Sequence, residues 1–173
     1  ISVVISNKKE AYALERARNY GIKAVFVESK NKSREDYDKE IAKVLDESKA
    51  DLILCIGYMR ILSQWFVNKY KNKIMNIHPS LLPEFGGGMD FDVHAEVLKA
   101  GKKTTGCTLH FVYEDVDAGP IIMQKTVKIE KNETAESLKK KVQKAEQEII
   151  LKAIDLYGRG KIKVENDKVI IKS

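Results

Sequence analysis

The first half of the sequence alternates short apolar runs with amphipathic stretches, and this alternation restricts the possible fold more than any other feature. Apolar, β-branched runs predict strands, and apolar residues at helical spacing predict helices between them. The predicted strands are residues 1–6, 24–28, 51–56 and 74–77, and the predicted helices are 10–20, 33–48 and 62–70. Strands joined through single helices form right-handed crossovers. This alternation over 1–78 therefore predicts a parallel sheet of the α/β class. Asn7 is a possible cap of the first helix.

The second half has a different pattern. A Pro/Gly-rich loop at 79–91 precedes a helix at 92–100, strands at 107–113 and 121–129, and a long helix at 134–157. Residues 161–171 predict a terminal β-hairpin that turns at Asn166 and Asp167. No internal repeat or linker interrupts the 173 residues, so we expect one domain over 1–173.

Composition excludes several classes of protein. A hydrophobic content of 43% and a charged content of 32% are typical of globular proteins. The net charge of +6 comes with lysines interleaved among glutamates, as at 136–152, which favours a solvated helix face over a nucleic-acid surface. Cys55 and Cys107 lie in apolar runs, which favours buried thiols over a disulfide or a metal site. With no apolar run of membrane-spanning length, we expect a cytoplasmic protein with neither nucleic-acid nor membrane partners.

Three polar residues stand where chemistry is expected. Asn76 and His78 end a buried strand, and period-two alternation sends both side chains to one face. Ligands bind at the carboxyl ends of strands in open α/β sheets. Asp117 lies in a turn at 115–120. A carboxylate there is also typical of an ordinary Asx turn, and the Asn-x-His pair has the alternative role of anchoring a loop. Together, an amide donor, an imidazole and a carboxylate can stabilise an oxyanion and move protons in acyl transfer.

Several segments of the sequence resemble the folate-dependent glycinamide ribonucleotide transformylase (phosphoribosylglycinamide formyltransferase) family. They are IGYMRILS at 56–63, NIHPSLLP at 76–83, GCTLHFV at 106–112, DAGP at 117–120 and KVQKAE at 141–146. Their order and spacing match the family over nearly the whole chain. The resemblance implies a Rossmann-like formyltransferase fold, with a mostly parallel central sheet flanked by helices and a C-terminal β-hairpin.

The resemblance also implies an activity: direct transfer of a formyl group from 10-formyltetrahydrofolate, the co-substrate, to the amine of glycinamide ribonucleotide, without a metal. By this resemblance Asn76 binds the formyl oxygen, His78 polarises it, and Asp117 orients a water and assists proton transfer. Thr108 and His110 are supporting residues, although His110 is equally well explained as a strand histidine with its hydrogen bonds satisfied.

The substrate contacts implied by the resemblance fall into two sets. The folate set is Met59, Arg60, Ile61, Leu62, Asn76 and Asp117. The ribonucleotide set is Pro79, Gln143 and Glu146. A lone glutamate on a long helix is more commonly a surface charge, so Glu146 has that alternative interpretation.

The sequence departs from the family in two places. The family begins with a strand and a glycine-rich turn that holds the substrate phosphate, whereas residues 1–21 match its second strand and helix. Because that strand is central in the family, its absence would leave strand edges unpaired. We expect strands 1–6 and 51–56 to pair directly, or another chain to cover the gap, as in a homodimer. In addition, three glycines at 86–88 are expected to loosen the loop near the substrate.

Two alternative functions remain from the sequence alone. One is a truncated remnant of low or no activity that binds folate, and the other is a 10-formyltetrahydrofolate hydrolase. The 173 residues leave no room for the regulatory domain of the deformylases or for the carboxy-terminal barrel of the methionyl-tRNA formyltransferases.

Overall fold

A computed structural model describes residues 1–87 and 92–172, and in this part of the chain the strand–helix alternation is confirmed. Residues 88–91 of the predicted loop lie outside the described residues. The elements in chain order are β1 Val4–Ser6, α1 Tyr12–Asn19, β2 Ala24–Phe26, α2 Arg34–Glu47, β3 Ile53–Cys55, α3 Gln64–Lys69, β4 Ile74–His78, α4 Val93–Lys99, β5 Thr104–Phe111, β6 Ile121–Lys128, α5 Ala135–Gly158, β7 Ile162–Glu165 and β8 Lys168–Ile171.

The chain divides into two compact units. The first contains Ile1–Ile53 and Arg60–Lys73, and the second contains Leu54–Met59 and the chain from Ile74 onward. The predicted single domain over 1–173 stays a prediction.

In the first unit, β1 and β2 pair in parallel, as the crossover pattern predicts. Ser33 caps α2 by accepting the Asp36 amide. Asn7 does not cap α1: that helix begins after Ala11, beyond the reach of the Asn7 side chain, whose amide donates to Ser29 Oγ instead.

The sheet that positions the candidate site has the order β3-β4-β5-β6, and its last three strands lie in the second unit. The β4–β5 and β5–β6 pairings are antiparallel, which differs from the mostly parallel sheet expected. The connection at 112–120 is short enough for an antiparallel hairpin, whereas a parallel pair would need a crossover. Helix α5 contacts β5 and β6 and buries an apolar stripe of Leu138, Val142, Ala145, Ile149 and Ala153.

The expected direct pairing of β1 with β3 is wrong, because the two strands belong to separate sheets. The backbone around β1 bonds to the β2 region, as in Val4 N to Lys23 O at 2.8 Å, and Ile53 at the start of β3 donates to Lys73 O, also at 2.8 Å. The alternative, that a second chain covers a gap, stays a prediction.

Two further structural expectations are confirmed, the terminal hairpin and the buried cysteines. The β7–β8 hairpin turns at Asn166 and Asp167, whose φ values are 50° and 55°. Two consecutive positive φ values are typical of the favoured two-residue hairpin turn. Cys55 and Cys107 are buried and are not joined in a disulfide. Among the residues described, no helix combines the length and apolar character that crossing a membrane requires.

Candidate active site

The register of β4 and β5 brings the predicted site residues to one face of the sheet. Asn76 lies opposite His110, and His78 lies opposite Thr108. Directly opposed residues of an antiparallel pair share a face, so one amide and two imidazoles lie side by side. Asp117 reaches the same place from the turn after β5. We call Asn76, His78, His110 and Asp117 the central cluster.

The turn that carries Asp117 is shaped by its backbone. Asp117 has a φ of 58°, in the left-handed region that Asp tolerates better than most residues. A Cβ on Gly119 would lie 1.8 Å from the Phe111 carbonyl oxygen, so only glycine fits where the turn closes on the end of β5. This close approach holds the Asp117 carboxylate against the histidines.

Asp117 contacts both histidines of the central cluster. Its Oδ2 lies 3.2 Å from His78 Nδ1 and accepts the Gly87 amide at 3.0 Å, while its Oδ1 lies 3.5 Å from His110 Nε2. Burial by itself would raise the pKa of Asp117. The His110 hydrogen bond, the Gly87 amide and the two nearby imidazoles outweigh that effect and hold the pKa below its ordinary value. The carboxyl is therefore ionised at neutral pH.

His78 lies between two acceptors, with a side chain that is only 7% exposed. Its Nε2 is 2.8 Å from the Phe85 carbonyl oxygen, and its Nδ1 faces Asp117. A carbonyl can only accept, so Nε2 carries a hydrogen, and both contacts are satisfied at once only by the protonated ring. The arrangement suits an imidazolium that is balanced by the Asp117 carboxylate.

His110 lies beside the amide of Asn76. Its Nδ1 donates to the Phe111 carbonyl at 2.9 Å, and its Nε2 faces the Asp117 carboxylate at 3.5 Å. Asn76 Nδ2 lies 3.3 Å from that Nε2. The Asn76 amide carries two hydrogens on Nδ2 and can donate to an oxygen of a ligand.

Thr108 anchors the loop that follows β4. Its hydroxyl donates to Ser80 O at 2.7 Å and accepts the Leu82 amide at 3.0 Å. Gln124 Nε2 donates both to Thr108 Oγ1, at 2.9 Å, and to Leu82 O, at 3.0 Å. This loop continues to Phe85 and Gly87, which contact the central cluster. Sequence reasoning missed Gln124, because one polar residue on the exposed face of a strand carries no distinctive pattern.

The predicted substrate residues have different surroundings. Met59 and Ile61 are exposed apolar side chains, 66% and 36% exposed, and the Arg60 guanidinium lies 4.7 Å above the Tyr37 ring. Leu62 is half-buried, as is Pro79, which directly follows His78. Their predicted roles in binding stay predictions.

Gln143 and Glu146 lie on α5, the first exposed and the second half-buried. Burial raises the pKa of Glu146, and nearby Lys139 opposes that shift. Within residues 1–87 and 92–172, no side-chain hydrogen bond or ion pair joins either residue to the central cluster. The same residues contain no group of three or more His, Cys, Asp or Glu side chains that could hold a metal ion.

Comparison with known sequences places the chain among its relatives. Residues 1–154 match the family described as formyl transferase. The chain belongs to the formyl transferase family. It is 43% identical to the trifunctional purine biosynthetic protein adenosine-3 of Bos taurus over 98% of its own length, but it spans only 17% of that relative. It is 35% identical to phosphoribosylglycinamide formyltransferase of Escherichia coli, covering 96% of this chain and 78% of the relative.

Solved structures confirm the Rossmann-like formyltransferase fold. Phosphoribosylglycinamide formyltransferase from Anaplasma phagocytophilum superposes with a TM-score of 0.92 at 41% identity, over 100% of this chain and 82% of that one. A formyltetrahydrofolate deformylase from Pseudomonas syringae has a TM-score of 0.90 at 25% identity, over 100% of this chain and 56% of that one. The fold is therefore shared by a protein named as a formyltransferase and one named as a deformylase.

Proposed function

We propose that this protein transfers the formyl group of 10-formyltetrahydrofolate to the amine of glycinamide ribonucleotide. The central cluster carries the proposal, because successive contacts of 3.5 Å or less connect an amide donor, two imidazoles and an ionised carboxylate. The higher identity to relatives named phosphoribosylglycinamide formyltransferase, 35% and 41% against 25% for the deformylase, favours the ribonucleotide amine as acceptor.

In the proposed reaction the ribonucleotide amine attacks the formyl carbon. A carbon–nitrogen bond forms to the amine, the formyl oxygen takes up negative charge, and the bond from that carbon to the folate nitrogen then breaks. A hydrogen of Asn76 Nδ2 and an N–H of His78 donate to the charged oxygen. Such donors act strongly because they are already oriented and shielded from water.

Asp117 has two tasks in this proposal. Its charge, 3.2 Å from His78 Nδ1, stabilises the imidazolium while the oxyanion exists. It also orients a water that takes the proton from the attacking nitrogen and delivers one to the departing folate nitrogen, so that protons balance. These steps require no metal.

The Phe85 carbonyl oxygen lies 2.8 Å from His78 Nε2, the position in which an acceptor oxygen can bind this nitrogen. We propose that the formyl oxygen replaces this carbonyl as the acceptor of the Nε2 hydrogen. Met59, Arg60, Ile61 and Leu62 are the proposed contacts of the pteridine, with Asn76 and Asp117 at the formyl end. Pro79, Gln143 and Glu146 are the proposed contacts of the ribonucleotide.

Formyl folate hydrolysis is the second candidate, favoured by the TM-score of 0.90 to the deformylase. In that reaction water takes the place of the amine at the same cluster. Loss of 10-formyltetrahydrofolate is therefore measured with and without glycinamide ribonucleotide. We expect folate consumption to require the ribonucleotide, and consumption at the same rate without it would favour the hydrolase.

His78→Ala should abolish turnover in this assay while folate binding is retained. His94→Ala is the matched control, because His94 is also a buried histidine, on α4, and lies outside the central cluster. Folate binding by the unmodified protein without turnover of either kind would instead favour a binding protein that has lost catalysis.

A further inference from the structure

We infer that Asp38 of α2 is a positioning residue for folate, acting through the segment 60–63. The inference rests on the proposed function, in which Arg60, Ile61 and Leu62 contact the pteridine. Asp38 itself is 1% exposed and so does not reach a ligand directly. Its effect must pass through the backbone that it holds.

The contact between Asp38 and this segment is short and buried. Asp38 Oδ2 accepts the Ser63 backbone amide at 2.5 Å. Ser63 directly follows Leu62 and is the N-cap of α3, where its own hydroxyl accepts the Phe66 amide at 3.3 Å. Asp38 therefore fixes the residue at which the segment becomes helix.

A second contact fixes the other end of the segment. The Arg60 guanidinium lies 4.7 Å above the ring of Tyr37, the residue before Asp38. Tyr37 is itself 1% exposed, so its ring is a rigid platform for the cation. Ile61 and Leu62 are thus held between two attachments to consecutive residues of α2, and Ile61 stays 36% exposed, available to a flat heterocycle.

Packing alone does not explain an aspartate at this position. Asp38 Oδ1 is buried and, within the described residues, has no hydrogen-bond partner. A half-satisfied buried carboxylate costs stability that an apolar residue would not. The helices are also joined without it, because the Tyr70 hydroxyl donates to Asp46 Oδ1 at 2.6 Å. What the Asp38 carboxylate adds is an acceptor aimed at the Ser63 amide.

The test compares Asp38→Ala, which removes the acceptor, with Asp38→Asn, whose amide oxygen can still accept the Ser63 hydrogen. Tyr70→Phe is the matched control, since it removes the hydroxyl that bonds to Asp46 and Ala42 of α2 but leaves the segment 60–63 attached. Three kinds of measurement are made for each: steady-state kinetics giving kcat and the KM of both substrates, the Kd for folate, and amide hydrogen exchange at 60–63.

We expect Asp38→Ala to raise the folate KM and Kd by about tenfold, the upper end of what one buried hydrogen bond contributes. The ribonucleotide KM and kcat should stay within about twofold of the original, a change of under about 0.5 kcal/mol at tenfold per about 1.4 kcal/mol. Exchange at 60–63 should become faster, and Asp38→Asn should restore most of the folate affinity. Tyr70→Phe should lower the melting temperature without changing folate binding.

Equal weakening of both substrates by Asp38→Ala would overturn the inference, as would folate loss of the same size in Tyr70→Phe or unchanged exchange at 60–63. The proposed function fails separately. If the unmodified protein binds folate but transfers no formyl group, the reaction is wrong and folate binding still decides the role of Asp38. If it binds no folate, both proposals are wrong.

Discussion

Replacing Asp117 with asparagine removes the charge of the central cluster with almost no change in shape. The carboxylate and the His78 ring are 10% and 7% exposed, so water screens their interaction weakly. Two unit charges 3.2 Å apart interact by about 5 kcal/mol at an effective dielectric constant of about 20. A hydrogen bond to a charged group has a net value of about 1.5–3 kcal/mol. We therefore expect about 3 kcal/mol less transition-state stabilisation, roughly a hundredfold lower kcat.

The assay is steady-state formyl transfer, with kcat and both KM values measured for Asp117→Asn and for Asp115→Asn. Asp115 is an exposed carboxylate in the same turn, so this control makes the same chemical change away from the histidines. The expected result is a large fall in kcat for Asp117→Asn and a near-normal rate for Asp115→Asn. A kcat within about threefold of the original in a folded Asp117→Asn protein, a change of under about 1 kcal/mol, would show that the Asp117 charge does not act in the transition state.

Three further predictions concern stability. Thr108→Val should lower the free energy of unfolding by about 2–3 kcal/mol in urea titrations, because it leaves buried partners unpaired, whereas the same change at exposed Thr126 should have little effect. Gly119→Ala should lower the free energy of unfolding by about 3 kcal/mol or more, because its Cβ would clash with the Phe111 carbonyl. Gly158→Ala has open space around it and should stabilise α5 by up to about 1 kcal/mol. Thermal melts test both changes. The folded-state pKa of Asp117 lies below the ordinary 3.8. The ionised carboxyl therefore stabilises the fold fully above pH 3.8, and this stabilisation is lost as the pH falls through the folded-state pKa. Asp117→Asn should accordingly flatten the acid side of a plot of unfolding free energy against pH.

Much of the fold follows from local patterns in the sequence. Ser33 before a periodic stretch correctly predicts the start of α2, and alternation correctly predicts β5 and β6. The prediction of Asn7 as a cap is wrong because a cap is defined by the residue at which the helix begins, and here that residue is Ala11. The absence of a β1–β3 pairing could not be foreseen, since strand pairing depends on tertiary contacts that local patterns do not contain.

The site was predictable to the extent that it consists of side chains in patterned positions. Period two placed Asn76 and His78 on one face, and the β4–β5 register added His110. The Phe85 carbonyl on His78 has no sequence signal, because every residue has a carbonyl. Asp38 did have one: it lies three, four and seven residues before Ile41, Ala42 and Leu45 on the buried face of α2. A charged residue on the apolar face of a helix indicates a buried hydrogen-bond acceptor with a specific partner.

Transfer of a formyl group from folate to an amine is the proposed task of the central cluster. It is tested most directly by a single turnover with ¹³C-formyl-labelled folate and excess glycinamide ribonucleotide, with products resolved by NMR. The label is expected in formylated ribonucleotide, in proportion to the folate consumed, and His78→Ala is expected to prevent this. Label recovered as free formate, or transfer unaffected by His78→Ala, would contradict it.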